Sequence, residues 1–336
     1  MSKNGILLVN LGTPDSTSVP DVRKYLREFL MDGRVIDIPG LPRWLLVNLI
    51  IAPFRAPKSA AEYRKLFTER GSPLKYYTED VTELLREALD NGYQVEYAMR
   101  YQSPSIEEGL EKLREAKVHS IHVIPLFPQY ASATTGSVID KVMEIVRGWQ
   151  IIPDVKFTSQ FLEHELFIDT IADLGKEYMD KKPYEHYVFS YHGLPERQIR
   201  KGSVNGYCQL GSCCNKLTDN NRLCYRAQCF ETTRLVVKKL NLSEDQYTVC
   251  FQSRLGRDPW IKPYTEDVLE ELAHKGIKRV LAFSPAFVSD CLETTIEVGE
   301  EYQEDFIEAG GESWDLVPSL NTQPKWINCL KELVEA

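Results

Sequence analysis

His186-Tyr187-Val188-Phe189-Ser190-Tyr191-His192-Gly193-Leu194-Pro195 is the stretch on which the fold turns. It opens as an apolar, aromatic run of the kind that forms a buried strand, and Gly-x-Pro then breaks the chain. His192 is thereby expected at the carboxyl end of a strand, where open α/β sheets place their ligand crevices. Histidine titrates near neutrality, so it can take or give a proton there or touch a metal; in an ordinary loop it would be a satisfied polar side chain and no more. A second strand-like run, Val280 to Phe287, leads into Ser289-Asp290-Cys291-Leu292-Glu293-Thr294-Thr295-Ile296-Glu297 and on to Glu300 and Glu301. Ser289 or Asp290 is expected to cap a helix leaving that strand. Glu293, Glu297 and Glu301 recur every four residues and so share one helical face, with Lys and Arg absent from Glu293 to Glu301. On an isolated helix this would be a solvated acidic face. Leading into a crevice, the same file of carboxylates can carry a metal ion or protons.

With 336 residues the chain has room for two ordinary domains. At 43% hydrophobic and 26% charged residues its composition is that of a globular protein. A net charge of −9 and a pI near 5.4 argue against nucleic acid as a general partner. Met1-Ser2-Lys3-Asn4 leads straight into an apolar strand without a signal-peptide pattern, which gives a cytoplasmic expectation. No apolar run approaches the ~20 residues that span a bilayer. The longest, residues 41–54, holds Trp44 and is flanked by Arg43, Arg55 and Lys58. That composition suits a peripheral segment lying in a membrane interface, a helix packed on the core, or an oily lip around a pocket.

Short apolar runs alternate with longer helical patterns, which predicts parallel sheets with crossover helices. The order of features also repeats. The strand from Gly5 to Asn10 ends in Gly12-Thr13-Pro14, echoing Gly193-Leu194-Pro195. Tyr93 to Arg100 with a helix from about Ile106 to Leu113 parallels Tyr247 to Ser253 with a helix from about Thr265 to Leu272. His122 to Phe127 with its following segment parallels Val280 to Phe287. The pattern reads as a duplication: two similar doubly wound α/β domains facing each other, 1–160 and 161–336, joined near residues 155–180, with the ligand between them. The carboxyl-terminal helix is expected to pack back on the first domain.

Five of the eight cysteines fall in a polar, Gly- and Asn-rich segment at 203–229: Cys208, Cys213, Cys214, Cys224 and Cys229. Cys250, Cys291 and Cys329 are scattered and read as core residues. In a reducing compartment disulfides are the weaker explanation. Gathered thiolates suit zinc or an iron–sulfur cluster, each of which takes four sulfurs. The spacing C-x4-C-C-x9-C-x4-C is not a zinc-ribbon pattern, and one of the adjacent pair Cys213 and Cys214 could be a spectator.

Taken together, the motifs resemble those of ferrochelatase, the enzyme that inserts ferrous iron into a porphyrin to make heme. The resemblance runs from Leu7-Leu8-Val9-Asn10-Leu11-Gly12-Thr13-Pro14 to Ser319-Leu320-Asn321. It includes Glu62-Tyr63-Arg64, Gly71-Ser72-Pro73-Leu74, Phe127-Pro128-Gln129-Tyr130, Thr134-Thr135-Gly136-Ser137 and Ser190 to Pro195. Gln252-Ser253-Arg254, Pro259-Trp260, Pro263-Tyr264-Thr265 and Ser289 to Thr294 complete it. The resemblance implies a chelatase fold with the porphyrin cleft between two domains. It makes His192 and Glu293 a facing catalytic pair, with Asp290, Glu297 and Glu301 continuing an acidic path for the metal. Arg55, Lys58, Ser72 and Ser253 match propionate-binding positions. Tyr63, Arg100 and Tyr101 match further pocket positions, Asn10 and Leu11 match the cleft floor, and residues 41–54 match a hydrophobic lip. A [2Fe-2S] cluster held by four of the five clustered cysteines follows from the same resemblance, since the final segment offers only Cys329. The wording of the motifs is closer to the branch that uses protoporphyrin IX than to the one that uses coproporphyrin III. A non-catalytic porphyrin carrier, or a chelatase of Co²⁺ or Ni²⁺, is the rival expectation; the oligomeric state stays open.

Overall fold

The computed structural model describes residues 3–203, 206–254, 256 and 258–336. Residues 204 and 205 of the cysteine-rich segment, and residues 1 and 2 of the amino-terminal reading, lie outside the described residues. The chain divides into two compact units. The first comprises residues 1–127, 131–160 and 327–336, and the second residues 128–130 and 161–326.

The first unit is built on β1 (Asn4–Gly12), β2 (Tyr93–Tyr101), β3 (Ser120–Pro125) and β4 (Asp154–Phe157). They pair in parallel in the order β2-β1-β3-β4. β1 is central and apolar, with Ile6, Leu7, Leu8 and Val9 buried, as a strand covered on both faces requires. Helix Ile106–Glu115 begins with a capping box between Ser105 and Glu108. It buries Ile106, Leu110 and Leu113 against Leu7, Val9 and Ala98.

The second unit repeats the plan with β5 (His186–His192), β6 (Tyr247–Gln252), β7 (Arg279–Phe283) and β8 (Ser313–Leu316), in the order β6-β5-β7-β8. All pairs are again parallel. Helix Thr265–His274 occupies the place of Ile106–Glu115, packing Val268, Leu269 and Leu272 near Val188, Cys250 and Val280. The backbone closes alike beyond β2 and β6: Met99 N donates to Pro104 O (2.6 Å) and Phe251 N to Pro263 O (2.9 Å). The α/β class with two parallel sheets is as the sequence indicates, and the shared strand order carries the duplication down to topology.

Two local expectations differ. The segment expected to join the halves opens with a strand, β4, whose exposed Asp154 and Lys156 hide it from an apolar count. β7 stops at Phe283 instead of running on to Phe287, because Pro285 has no N–H to give the ladder. Residues 41–54 form successive helical segments, Gly40–Leu45, a wider π-type turn Leu46–Ile51 and the start of Ala52–Leu66.

Gly12 closes β1 with φ +113°, and an added Cβ would lie 2.0 Å from the Tyr101 carbonyl oxygen. Gly12→Ala should therefore cost at least about 1–3 kcal/mol. A denaturant titration showing an unchanged midpoint would contradict that close approach.

Candidate active site

The carboxyl ends of β5, β6 and β7 bring the predicted residues of the second unit together. His192 is the last residue of β5 and pairs in register with Gln252, the last of β6. Its Nδ1 lies 2.7 Å from the Gly193 carbonyl oxygen. A carbonyl only accepts, so Nδ1 carries the proton, and a neutral ring keeps its lone pair on Nε2. Gly193 N donates to Gln252 O at 2.8 Å. A Cβ on Gly193 would lie 2.8 Å from that same oxygen, so the strand crossing leaves room for glycine alone. The indole of Trp260 lies beside the imidazole, with ring centroids 6.4 Å apart.

After β7 the chain enters a π-type helix, Leu292–Glu301, a geometry that recurs at functional sites. Its N-cap is Cys291, which shares a capping box with Thr294; neither Ser289 nor Asp290 holds that place. Asp290 is drawn aside instead, accepting from Ser319 N (2.9 Å) and Asn321 Nδ2 (2.8 Å). Glu293, Glu297 and Glu301 do follow one another along the helix. Glu301 is exposed, Glu293 half-buried, and the Glu297 carboxylate sits deepest, behind the strand ends.

Glu297 accepts from Ser253 Oγ (2.6 and 2.9 Å), Tyr302 Oη (3.1 Å) and Gln252 Nε2 (3.3 Å). Burial raises its pKa, the nearby Glu293 charge adds to the rise, and Ser253 and His192 oppose it. The Gln252 amide also donates to the Glu293 carbonyl (3.1 Å) and accepts from Ser190 Oγ (2.7 Å). Gln252 and Tyr302 were not singled out by the sequence reading. Gln252 was legible only as part of a motif, and Tyr302 is brought to Glu297 by a wide turn that ordinary α-helical spacing does not foresee.

In the first unit Arg55 and Lys58 are exposed on one face of helix Ala52–Leu66, Lys58 near Glu62 (3.9 Å). Ser72 precedes helix Pro73–Ala88 and accepts from Thr13 Oγ1 at 3.0 Å. Asn10, buried at the end of β1, donates to Thr78 and accepts from Leu11 N; Leu11 is half-buried. Tyr63 lies in the core, edge-on to Tyr25 and Phe67. Arg100 pairs with Asp32 at 2.7 Å, and Tyr101 Oη donates to the same carboxylate at 2.9 Å. Burial alone would raise the Asp32 pKa, but Ser137, Arg34 N–H and Arg100 hold it below the usual range. Arg100 and Tyr101 are thus committed inside the unit, whereas Arg55 and Lys58 stand open.

The clustered thiols divide four and one. Cys214 donates to Cys224, which raises the first thiol's pKa and lowers the second's. Cys213 Sγ is 3.9 Å from Cys214 Sγ. Cys208 contacts Cys213, and burial with those neighbouring sulfurs raises its pKa. Cys229 is fully buried against Tyr225 instead. Among the described residues, no group of three or more His, Cys, Asp or Glu side chains is arranged to hold a single metal ion.

The fold matches solved chelatases. SirB from Bacillus subtilis with Fe3+ covers 99% of this chain and 94% of that one at TM-score 0.54 and 14% identity. The sirohydrochlorin chelatase SirB from Bacillus subtilis subspecies spizizenii, in complex with cobalt, gives TM-score 0.56 at 11% identity, over 99% and 94% of the two chains. The architecture is therefore that of the chelatases. A ferrochelatase family model matches residues 3–336. The ferrochelatase of Legionella pneumophila (strain Lens) is 45% identical over 332 residues, 99% of this chain and 98% of that protein. That of Coxiella burnetii (strain Dugway 5J108-111) is 45% identical over 339 residues, 99% and 94%. The chain belongs to the ferrochelatase family: it is a lyase of heme biosynthesis whose substrates are a porphyrin and ferrous iron.

Glu297→Gln tests the buried carboxyl. Because the folded pKa is raised, the wild-type contribution is fully present below the ordinary value of 4.5 and is lost as pH rises through the folded value. The glutamine variant escapes that loss, so its melting temperature relative to wild type should climb as pH rises above 4.5. Parallel melting curves from acid to neutral pH would place the carboxylate in water.

Proposed function

We propose that His192 and Glu293 carry the catalytic step, that protoporphyrin IX is the porphyrin, and that Glu301, Glu297 and Glu293 form the path of the iron. The observation that carries this reading is His192 at the end of β5 with Nδ1 held by Gly193, beside a file of acids that runs from an exposed residue to a desolvated one on the helix Leu292–Glu301. Metal insertion requires two pyrrole protons to leave while Fe²⁺ sheds water. The Nε2 lone pair of His192 accepts a proton, and Glu293 receives the second or hands over the ion. His192 comes from the end of β5 and Glu293 from the helix after β7, both in one unit. The raised pKa of Glu297 suits a residue that exchanges a proton for a cation. Asp290 is engaged by Ser319 and Asn321 and is left out of this path.

Arg55, Lys58 and Ser72 hold the propionates, with Asn10 and Leu11 beneath the ring; Tyr63, Arg100 and Tyr101 stiffen the wall behind. Ser253 serves Glu297 first. Remote binding energy of this kind can be spent on bending the macrocycle so that a nitrogen lone pair turns out of its plane. Leu41 and Phe54 are 72% and 79% exposed, with Trp44, Leu49 and Ile50 between them. So oily an exterior segment, followed by Arg55 and Lys58, supports peripheral contact of a cytoplasmic enzyme with a membrane surface. No described helix is long and apolar enough to cross a membrane.

A [2Fe-2S] cluster takes four thiolates, and the contacts that link Cys208, Cys213, Cys214 and Cys224 bring together a donor set of that number, which zinc could also use. Those four residues would hold it, Cys229 standing apart. When bound, the cluster supplies a redox-active cross-link within the segment. The guanidinium of Arg226 beside Cys214 opposes the rise of that thiol's pKa without overcoming it.

The test is anaerobic. Fe²⁺ and protoporphyrin IX are mixed with the protein and the visible spectrum is followed from the protein alone onward. Free-base bands should give way to heme bands over many turnovers, with iron–sulfur absorbance present beforehand. Turnover with coproporphyrin III alone would reassign the substrate, and binding without metal insertion for either would leave a carrier.

His192→Ala and Glu293→Gln should each keep porphyrin binding and lose about 10²–10⁴-fold in turnover; wild-type rates in either would remove that residue from the step. Arg55→Ala should raise the porphyrin dissociation constant with little change in kcat, as lost ground-state binding does. An unchanged constant would free Arg55 of its role.

A further inference from the structure

We infer that Tyr225 is a positioning residue for His192, through which the state of the thiol segment is felt at the catalytic base. Tyr225 directly follows Cys224 and opens helix Tyr225–Leu240. Its hydroxyl donates to the main-chain carbonyl of His192 at 2.9 Å, although the two residues are far apart in sequence. The phenol is buried, at 7% exposure. The His192 peptide is held from the other side as well, by the bond from Gly193 N to Gln252 O (2.8 Å). The imidazole is fixed to that same turn by Nδ1. Tyr225 thus closes a clamp on the residue whose Nε2 must meet the porphyrin.

The clamp's anchorage is the thiol segment. Cys224 is the N-cap residue of the helix, and its sulfur is in contact with the Cys214 thiol. Whatever holds Cys208, Cys213, Cys214 and Cys224 together also fixes the first turn of the helix, where Tyr225 sits. Losing it frees that turn and loosens the His192 carbonyl without touching any substrate contact. This inference rests on the reading of His192 as the base and of the four thiols as cluster ligands.

The experiment compares Tyr225→Phe with wild type, each before and after anaerobic removal of the cluster by a chelator. The ring signals of ¹³C-labelled histidine are recorded by NMR, with His192→Gln assigning the one of interest among six. Cluster content is followed by visible absorbance and acid-labile sulfide. In Tyr225→Phe the His192 signal should broaden or double while the other histidines stay put. Its kcat should fall about tenfold or more with KM for porphyrin within about twofold. Cluster absorbance should remain. Removing the cluster from wild type should disturb the His192 signal in the same way, and should add little in Tyr225→Phe. An unchanged His192 signal and kcat in Tyr225→Phe would overturn the positioning role. A disturbed signal in Tyr225→Phe with none on cluster removal would overturn the link to the thiols. Protein that carries neither absorbance nor sulfide from the start would sink the cluster reading instead, and the substitution then judges the clamp alone.

Discussion

The site depends on one buried amide. Gln252 ends β6 in register with His192, and its side chain accepts from Ser190 while donating to the Glu293 carbonyl and the Glu297 carboxylate. β5, β6 and the helix Leu292–Glu301 are thereby tied together by directional bonds. An apolar residue of the same volume would pack but would leave the Ser190 hydroxyl with one partner fewer and Glu297 less compensated, each such loss costing about 1–3 kcal/mol. The carboxylate can stay so deep only because Gln252, Ser253 and Tyr302 all point hydrogens at it. Precision here comes from polar groups fully used, which a core of aliphatic side chains could not supply.

The duplication shows what that amide replaces. Asn10 pairs with Met99 as Tyr191 pairs with Phe251, and Met99 and Phe251 donate to equivalent prolines. Leu11 is thus the counterpart of His192, and Arg100 that of Gln252. Where the second unit has a neutral amide joining strand ends, the first has a guanidinium locked to Asp32 and Ser137. An ion pair of that kind is satisfied within its own unit and offers nothing to a ligand. The two halves share topology and differ in what they carry: one has His192 and the file of acids, the other the exposed cations and the oily segment.

How much of this was legible in the sequence follows from the strength of each local signal. Buried parallel strands are continuous apolar runs, so β1, β3 and β5 could be read directly. β4 and β8, each of four residues, could not, for partial exposure and charged residues dilute their pattern. His192 and the three glutamates stood out because a titratable residue after a strand, and acids at helical spacing, are patterns in one dimension. The engagement of Asp290 with residues 319–321, and of Arg100 with Asp32, joins segments distant in sequence. Such partners are chosen by topology, which no local pattern encodes. The Cys291 cap escaped for a different reason: cysteine is not among the residues that usually take that position.

The cysteine segment is docked in the same directional way. Helix Tyr225–Leu240 buries Gln228, Thr232 and Thr233 almost completely, where apolar residues would be expected. Each is satisfied: Gln228 accepts from Tyr130 N, Thr232 from Gln129, and Thr233 meets the Tyr191 hydroxyl at 2.9 Å. Apolar faces tolerate small slides because dispersion is indifferent to direction. A face of hydrogen bonds does not, since a shift of an ångström breaks several at once and leaves buried groups unpaired. This helix is therefore registered against the end of β5, by Tyr225 on His192 and Thr233 on Tyr191. A segment inserted ahead of such a helix cannot be a passive appendage. Any ordering it gains or loses is delivered, through a face that cannot slip, to the end of the strand that closes on His192.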